Sequence, residues 1–225
     1  MKLFLFDIDG TLISPGPAAR MAINQAIENF TGMPPDLQIK NVAGLTDRLI
    51  VKNALIKADR ESDAAEAIDG IITNYLELFE KTYHQSDGAF VYEDSIDLVN
   101  KVKTKNFPIG LLTGNVKRGA KIKLGKFGLM EHFKFGAFGD DGATRNDLPP
   151  VAQKIAKDTL GISFSFRDIV LVGDTREDAL AAKTNGCQSI VVCRRKEWYD
   201  DIVNAGADLV VDSLSDPRIE EKFLT

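Results

Sequence analysis

Four apolar residues in a row, Leu3-Phe4-Leu5-Phe6, run straight into Asp7-Ile8-Asp9-Gly10. No polar residue alternates within the run, so a strand made from it must be covered on both faces. A parallel sheet sandwiched between helices meets that requirement. Two later runs repeat the pattern. Pro108 to Leu112 ends in Thr113-Gly114-Asn115, and Asp168 to Val172 ends in Gly173-Asp174-Thr175. Further strands are expected at Phe133–Phe138, Ser189–Cys193 and Asp208–Val211. Helices are expected at Asp94–Lys105, Lys117–Phe127, Pro150–Leu160, Arg176–Asn185 and Lys196–Ala205. Strands alternating with helices predict an α/β fold: a Rossmann-like parallel sheet with helices on both faces.

One stretch breaks the alternation. Ala18 to Phe30, Thr46 to about Ala58 and Glu61 to about Tyr83 read as helices, and no strand of any strength lies among them. Breakers flank the stretch: Ser14-Pro15-Gly16-Pro17 before it and Gln85-Ser86-Asp87-Gly88 after it. The expected organisation is an α/β core of residues 1–14 and 89–225, with an all-helical insertion at 15–88. The chain's 225 residues divide into one core of ordinary domain size and a half-domain insert.

Composition narrows the function. The 28 basic and 33 acidic residues give a net charge of −5, which argues against a duplex-binding surface. Two cysteines without a C-x-x-C spacing argue against a disulfide scaffold or a zinc site. The N-terminal apolar run is too short for a signal peptide and no run reaches ~18 apolar residues. The expectation is a soluble cytoplasmic protein whose partner is a small molecule, with no nucleic acid or membrane involved. Oligomeric state is not legible.

In an open parallel sheet, ligands bind beyond the carboxyl ends of the strands. Asp7, Asp9 and Asp174 would meet there, with Asp178 one helical turn on from Asp174. Carboxylates gathered in one crevice stay ionised only around a cation. Oxygen ligands without His or Cys favour a hard ion, Mg²⁺ before Ca²⁺. A lone Asp at a strand end is more often a turn former or helix cap, and that reading suits Asp174 taken alone. It does not explain two acids on a buried strand end followed by Gly10-Thr11.

The string Phe6-Asp7-Ile8-Asp9-Gly10-Thr11-Leu12 resembles the first motif of the haloacid dehalogenase-like hydrolases without a mismatch. Thr113-Gly114-Asn115 resembles their second motif, and Gly173-Asp174-Thr175-Arg176-Glu177-Asp178 their fourth. The resemblance covers essentially the whole chain and is nearest to the phosphoglycolate phosphatase type, with a helical cap after the first strand. It implies a Mg²⁺-dependent phosphatase acting on a small phosphate monoester. In it Asp7 is the nucleophile that becomes an aspartyl-phosphate. Asp9 is the general acid and base, with its backbone carbonyl on the metal. Thr113, Gly114 and Asn115 hold the phosphoryl group. Asp174 is a metal ligand with Asp178 as its support.

The third motif departs from the family's Lys-Pro-x-Pro. Arg145-Asn146-Asp147-Leu148-Pro149-Pro150 stands there, and Arg145 takes the lysine's role, with a lysine such as Lys154 as the alternative. In the cap, Ala43-Gly44-Leu45-Thr46-Asp47-Arg48 resembles the loop that faces the active site. Gly44 would permit close approach and Arg48 would meet a second anion, or else Thr46 simply caps a helix and Arg48 lies in solvent. A β-phosphoglucomutase-like mutase is the runner-up, lowered by the lack of a hinge His at Pro17-Ala18-Ala19-Arg20. Asp9 argues against a haloacid dehalogenase, and Asp7 with Asp9 argues against a non-catalytic binding module.

Overall fold

The run Leu3-Phe4-Leu5-Phe6 forms β1 (Leu3–Phe6), and all four side chains are fully buried. In the computed structural model, which describes every residue except Asp36, the elements follow in chain order. After β1 come β2 (Ile13–Ser14), α1 (Ala18–Thr31), α2 (Ile39–Val42), α3 (Asp47–Lys57), α4 (Ala64–Tyr83), β3 (Phe90–Val91) and α5 (Glu93–Thr104). Next are β4 (Ile109–Leu112), α6 (Lys117–Gly125), β5 (Gly136–Ala137), α7 (Leu148–Leu160) and β6 (Ile169–Gly173). The chain closes with α8 (Arg176–Asn185), β7 (Gln188–Val192), α9 (Tyr199–Ala205), β8 (Leu209–Val211) and α10 (Pro217–Phe223).

Six strands make one parallel sheet in the order β5-β4-β1-β6-β7-β8. Side chains alternate across it with period two. Phe4 and Phe6 join Leu98, Val102 and Phe223 on one face. Leu3 and Leu5 join Leu148, Ala152 and Ala181 on the other. This is the doubly covered sheet that an unbroken apolar strand demands. The chain leaves β1 toward β4 and β5, then crosses back to β6 on β1's other side, so β1 sits at the topological switch point. The register pairs Phe6 with both Leu111 and Val172. Asp7 therefore emerges between the ends of β4 and β6, with Thr113 and Asp174 just beyond them.

The insertion is helical, α1 to α4, and has an apolar cluster of its own built on Ile23, Ile27, Val51, Leu55, Ile72 and Phe79. Val116 and Ile122 of the core join that cluster. Where the chain leaves and re-enters, β2 pairs antiparallel with β3, Ile13 opposite Val91 and Ser14 opposite Phe90. That ribbon holds the two crossings side by side. It is too short for a sequence pattern to reveal.

Two expected elements are smaller than their apolar pattern. Of Phe133–Phe138 only Gly136–Ala137 is strand, because a single 3-10 turn at Met130–His132 delays the approach to β4. The first turn expected at Lys196 is likewise 3-10, and α9 starts at Tyr199. The C-terminal α10 was not expected, although Asp216 caps it by accepting from the Arg218 amide and Pro217 opens it.

Candidate active site

Asp7 keeps its place in the sheet, its amide donating to the Val172 carbonyl at 2.9 Å, while the residue as a whole is 4% exposed. Asp7 Oδ2 lies 3.0 Å from Arg145 Nη2, and Oδ1 has no hydrogen-bond partner among the described residues. Burial pushes the Asp7 carboxyl up to about 6; Arg145 opposes the rise, and Asp178 and Asp9 add to it.

Arg145 is as buried as the acid it faces. It stands on a 3-10 turn, Arg145–Asp147, fixed by a capping box between Thr144 and Asp147. The same Nη2 also donates to Asp178 Oδ1 and to the Leu112 carbonyl at 3.2 Å. One terminal nitrogen thus makes all three contacts, and Nε makes none. An ammonium in that place could make the same three, so these contacts are compatible with the expectation that Arg145 takes a lysine's role. Lys154 lies exposed on α7, away from the cleft.

Asp174 follows β6 and is 9% exposed. Burial raises its carboxyl well above the ordinary range, with Asp178 and Asp7 adding to the effect. Its Oδ1 has no hydrogen-bond partner among the described residues. Asp178 has no spare oxygen. Oδ1 faces Arg145, and Oδ2 accepts from the Asp174 and Thr175 amides at 3.2 and 3.0 Å and from the Thr175 hydroxyl at 2.7 Å. It caps α8 and ties the fourth motif to Arg145. Carboxylate oxygens of Asp7, Asp174 and Asp178 lie within 4.8 Å of one another and could hold a metal ion. Two unpaired oxygens in an all-oxygen set fit a hard cation.

Asp9 turns away from that cluster. Its Oδ2 accepts from Asn115 Nδ2 at 2.9 Å and from Lys123 Nζ at 2.5 Å. Asn115 is itself held by the Thr113 hydroxyl, which accepts from Nδ2 at 2.8 Å, and its Oδ1 accepts from Lys123. Thr113 and Asn115 are buried. Lys123 is missing from the sequence reading. Its signal was a charge on the apolar face of α6, in line with Val116, Ala120 and Phe127. Buried to 3% exposure, it fixes the Asp9 carboxylate through Oδ2, the group the sequence resemblance expects to protonate a leaving alcohol. Lys123→Met should therefore slow esters with poor alkyl leaving groups by about 10²-fold and p-nitrophenyl phosphate much less. Equal losses on both would contradict this role.

The cap loop docks on the second motif. The Asp47 amide donates to the Gly114 carbonyl at 2.8 Å, and Asp47 Oδ2 accepts from the Val116 amide at 2.9 Å. Burial pushes the Asp47 carboxyl up to about 6, against the pull of Lys123 and the Val116 amide. Thr46 both caps α3, accepting from the Leu49 amide at 3.1 Å, and donates to the Ala143 carbonyl at 3.3 Å. Gly44, at φ 76°, leaves no room for a side chain: a Cβ there would lie 2.6 Å from the Thr175 hydroxyl oxygen. Arg48 does not join the site. One residue along α3 turns it about 100° from Asp47, where it pairs with Asp69 at 2.6 Å on the exposed side, and it does not line the cleft. A Cβ at Gly114 would lie 2.2 Å from the Leu45 carbonyl oxygen, backbone against backbone. Gly114→Ala should push the loop off, lower kcat/KM on the order of 10²-fold and speed amide exchange at Leu45–Asp47. Unchanged exchange there would contradict the docking.

Arg194 was also not foreseen. It grips Asp94 with two bonds of 2.9 and 2.7 Å, lies 4.0 Å over the Tyr92 ring and donates to the Gly10 carbonyl at 3.3 Å. It braces the turn after Asp9 from the far half of the sheet. Cys187 is inert packing, its thiol pushed up to about 12 by burial.

The family model for the haloacid dehalogenase-like hydrolases matches residues 4–192. A phosphoglycolate phosphatase of Chromobacterium violaceum is 27% identical over 220 residues, 96% of this chain and 94% of that protein. One from Yersinia pseudotuberculosis is 25% identical over 94% of this chain and 89% of its own. A crystal structure of a predicted phosphatase from Clostridium acetobutylicum superposes with a TM-score of 0.73 at 21% identity, covering 99% of this chain and 98% of that one. No helix among the described residues is long and apolar enough to cross a membrane. The carboxylates at the switch point, the helical insert and the match over residues 4–192 agree: this chain belongs to the haloacid dehalogenase-like hydrolases.

Proposed function

We propose that this chain is a Mg²⁺-dependent phosphomonoesterase that works through an aspartyl-phosphate on Asp7. The observation that carries the reading is Asp7 itself. It is a buried carboxylate at the switch point, fixed through Oδ2 by Arg145 and with Oδ1 unpartnered. Asp7 attacks phosphorus and the ester P–O bond breaks, while Asp9 gives its proton to the leaving alkoxide. Asp9 then takes a proton from water. That water attacks the phosphorus of the intermediate and frees Asp7 and inorganic phosphate. Thr113, Asn115 and the backbone at Gly114 hold the phosphoryl oxygens, and Arg145 offsets charge on Asp7. Asp7 and Asp174 would hold Mg²⁺, with the Asp9 carbonyl beside them and Asp178 orienting the set. Bound there, Mg²⁺ supplies positive charge to phosphoryl transfer.

Residues 15–88 act as a cap that hinges at the β2–β3 ribbon and shuts water out when the Leu45–Asp47 loop docks. Phosphoglycolate enters as a substrate through the names of the relatives alone. Buried, free Cys187 and Cys193 support a reducing, cytoplasmic setting.

A panel of phosphorylated metabolites, assayed with and without Mg²⁺, tests the reading. Hydrolysis that needs Mg²⁺ supports it, and a flat response to every ester contradicts it. Proton linkage gives a second expected result. The raised carboxyls of Asp7 and Asp174 hold protons that a cation must displace. Mg²⁺ affinity should weaken as pH falls from about 7 through about 6, and binding at pH 6 should release protons. Calorimetry in buffers of different ionisation heat measures that release, and its absence would place the ion elsewhere.

A further inference from the structure

The cleft over Asp7 encloses about 440 Å³, a volume suited to a ligand several times larger than a two-carbon acid. Its floor is polar and its roof mostly aliphatic, with Arg20, Asp47 and Tyr75 as the cap's polar side chains on it. Ile23, Leu37, Ile39, Val42, Leu45 and Ile50 of the cap line it. Ile39 is 37% exposed, and Leu37, Val42, Leu45 and Ile50 are only half-buried. Their apolar surface is therefore left open over the phosphoryl site. A second cavity of about 350 Å³ shares Leu37, Val42 and Ile50 with the first and is otherwise lined by Ile56 and the polar Asn41, Asn53 and Lys57. The apolar slot is therefore the aliphatic roof of the first cleft, which stands above the nucleophile.

Among the described residues, the cleft's cations are Arg20, exposed on α1 of the cap, and four from the core: Lys123, Arg145 and Arg194 are engaged with Asp9, Asp7 and Asp94, and Arg195 lies over the Trp198 ring. Asp47, the cap's acid there, is already engaged with the Val116 amide. A carboxylate laid against this roof would lose water and gain no partner from the aliphatic side chains. An alkyl chain would gain from the same contacts. We infer that the substrate is an amphiphilic phosphate monoester, with its phosphoryl group on the Asp7 floor and an aliphatic chain in the slot.

The inference rests on the phosphatase reading and deepens it. Its test is kcat/KM for methyl, butyl and hexyl phosphate beside phosphoglycolate and p-nitrophenyl phosphate, all with Mg²⁺. The expected result is a rise of about two- to fourfold per methylene, with hexyl phosphate well above phosphoglycolate. Val42→Asn and Ile39→Asn, both on half-exposed positions, should each lower the hexyl-to-methyl ratio at least about fivefold. A flat chain-length series, phosphoglycolate preferred over hexyl phosphate, or a ratio unmoved by both variants overturns the apolar slot and leaves the phosphatase standing. No turnover of any ester, p-nitrophenyl phosphate included, overturns both.

Discussion

Asp7→Asn should abolish phosphate-ester hydrolysis, with a loss of at least ~10⁴-fold, and the variant should still fold. The carboxamide keeps the shape of the carboxylate but is no nucleophile, and the neighbouring acids have other work: Asp174, whose Oδ1 has no hydrogen-bond partner among the described residues, is the proposed metal ligand. Asp174 and Asp178 lie beside it, but Asp178 is spent on α8 and Arg145, and Asp9 is bound by Asn115 and Lys123. Stability should move the other way. Burial raises the folded-state pKa of Asp7 to about 6 from an ordinary 3.8. A raised acid contributes stability that is complete below its unfolded pKa and is lost as pH climbs through the folded value. Above pH 6, ionised Asp7 thus costs the metal-free protein on the order of a few kcal/mol. The Asn variant avoids that cost. In EDTA at pH 7.5 it should melt at or above the parent's temperature, and the gap should close as pH falls from about 6 to about 4. Asn variants that melt well below the parent across this range would contradict the account.

Arg145→Ala should be the most damaging change to both fold and activity. It strips the shared cation from Asp7 and Asp178, whose side chains are 5% and 2% exposed. Breaking a buried pair by removing one partner costs roughly 3–5 kcal/mol, and here two carboxylates lose theirs. Turnover should fall by at least ~10³-fold as Asp7 loses its anchor and part of its charge balance. Arg145→Lys separates charge from shape. All three contacts of Arg145 come from Nη2, so an ammonium with adequate reach should restore activity to within about tenfold of the parent. Lys154→Ala should change kcat/KM by less than about twofold, since the residue is exposed and does not line the cleft. A larger loss from the Lys154 change than from Arg145→Ala would reverse the assignment.

The sheet and its carboxyl edge were legible because burial on both faces leaves a plain mark: Leu3–Phe6 has no polar alternate. The acids after it were legible because Asp7 and Asp9 sit where a core strand should have nothing charged. Arg145 could be placed by its position before Leu148-Pro149-Pro150. What stayed hidden depends on direction rather than type. Asp47 and Arg48 are neighbours in the chain, yet one turns into the docking loop and the other pairs with Asp69 on the outside. Lys123 is one of several lysines in α6 and shows itself only once the helix face is drawn. Arg194 reaches Gly10 across 184 residues, a distance no local pattern spans. The β2–β3 ribbon and α10 were short enough to fall beneath any periodicity, although the Asp216-Pro217 start of α10 could have been read.

The central claim is that Asp7 carries the phosphoryl group between substrate and water. Enzyme in excess over substrate, quenched in acid during turnover and reduced with borohydride, tests it directly, because an aspartyl-phosphate is converted to homoserine. Peptide mapping should find homoserine at position 7 and nowhere else, with none in unreacted enzyme. Efficient Mg²⁺-dependent turnover with Asp7 unmodified throughout, or the mark on Asp9 or Asp174 instead, would contradict it.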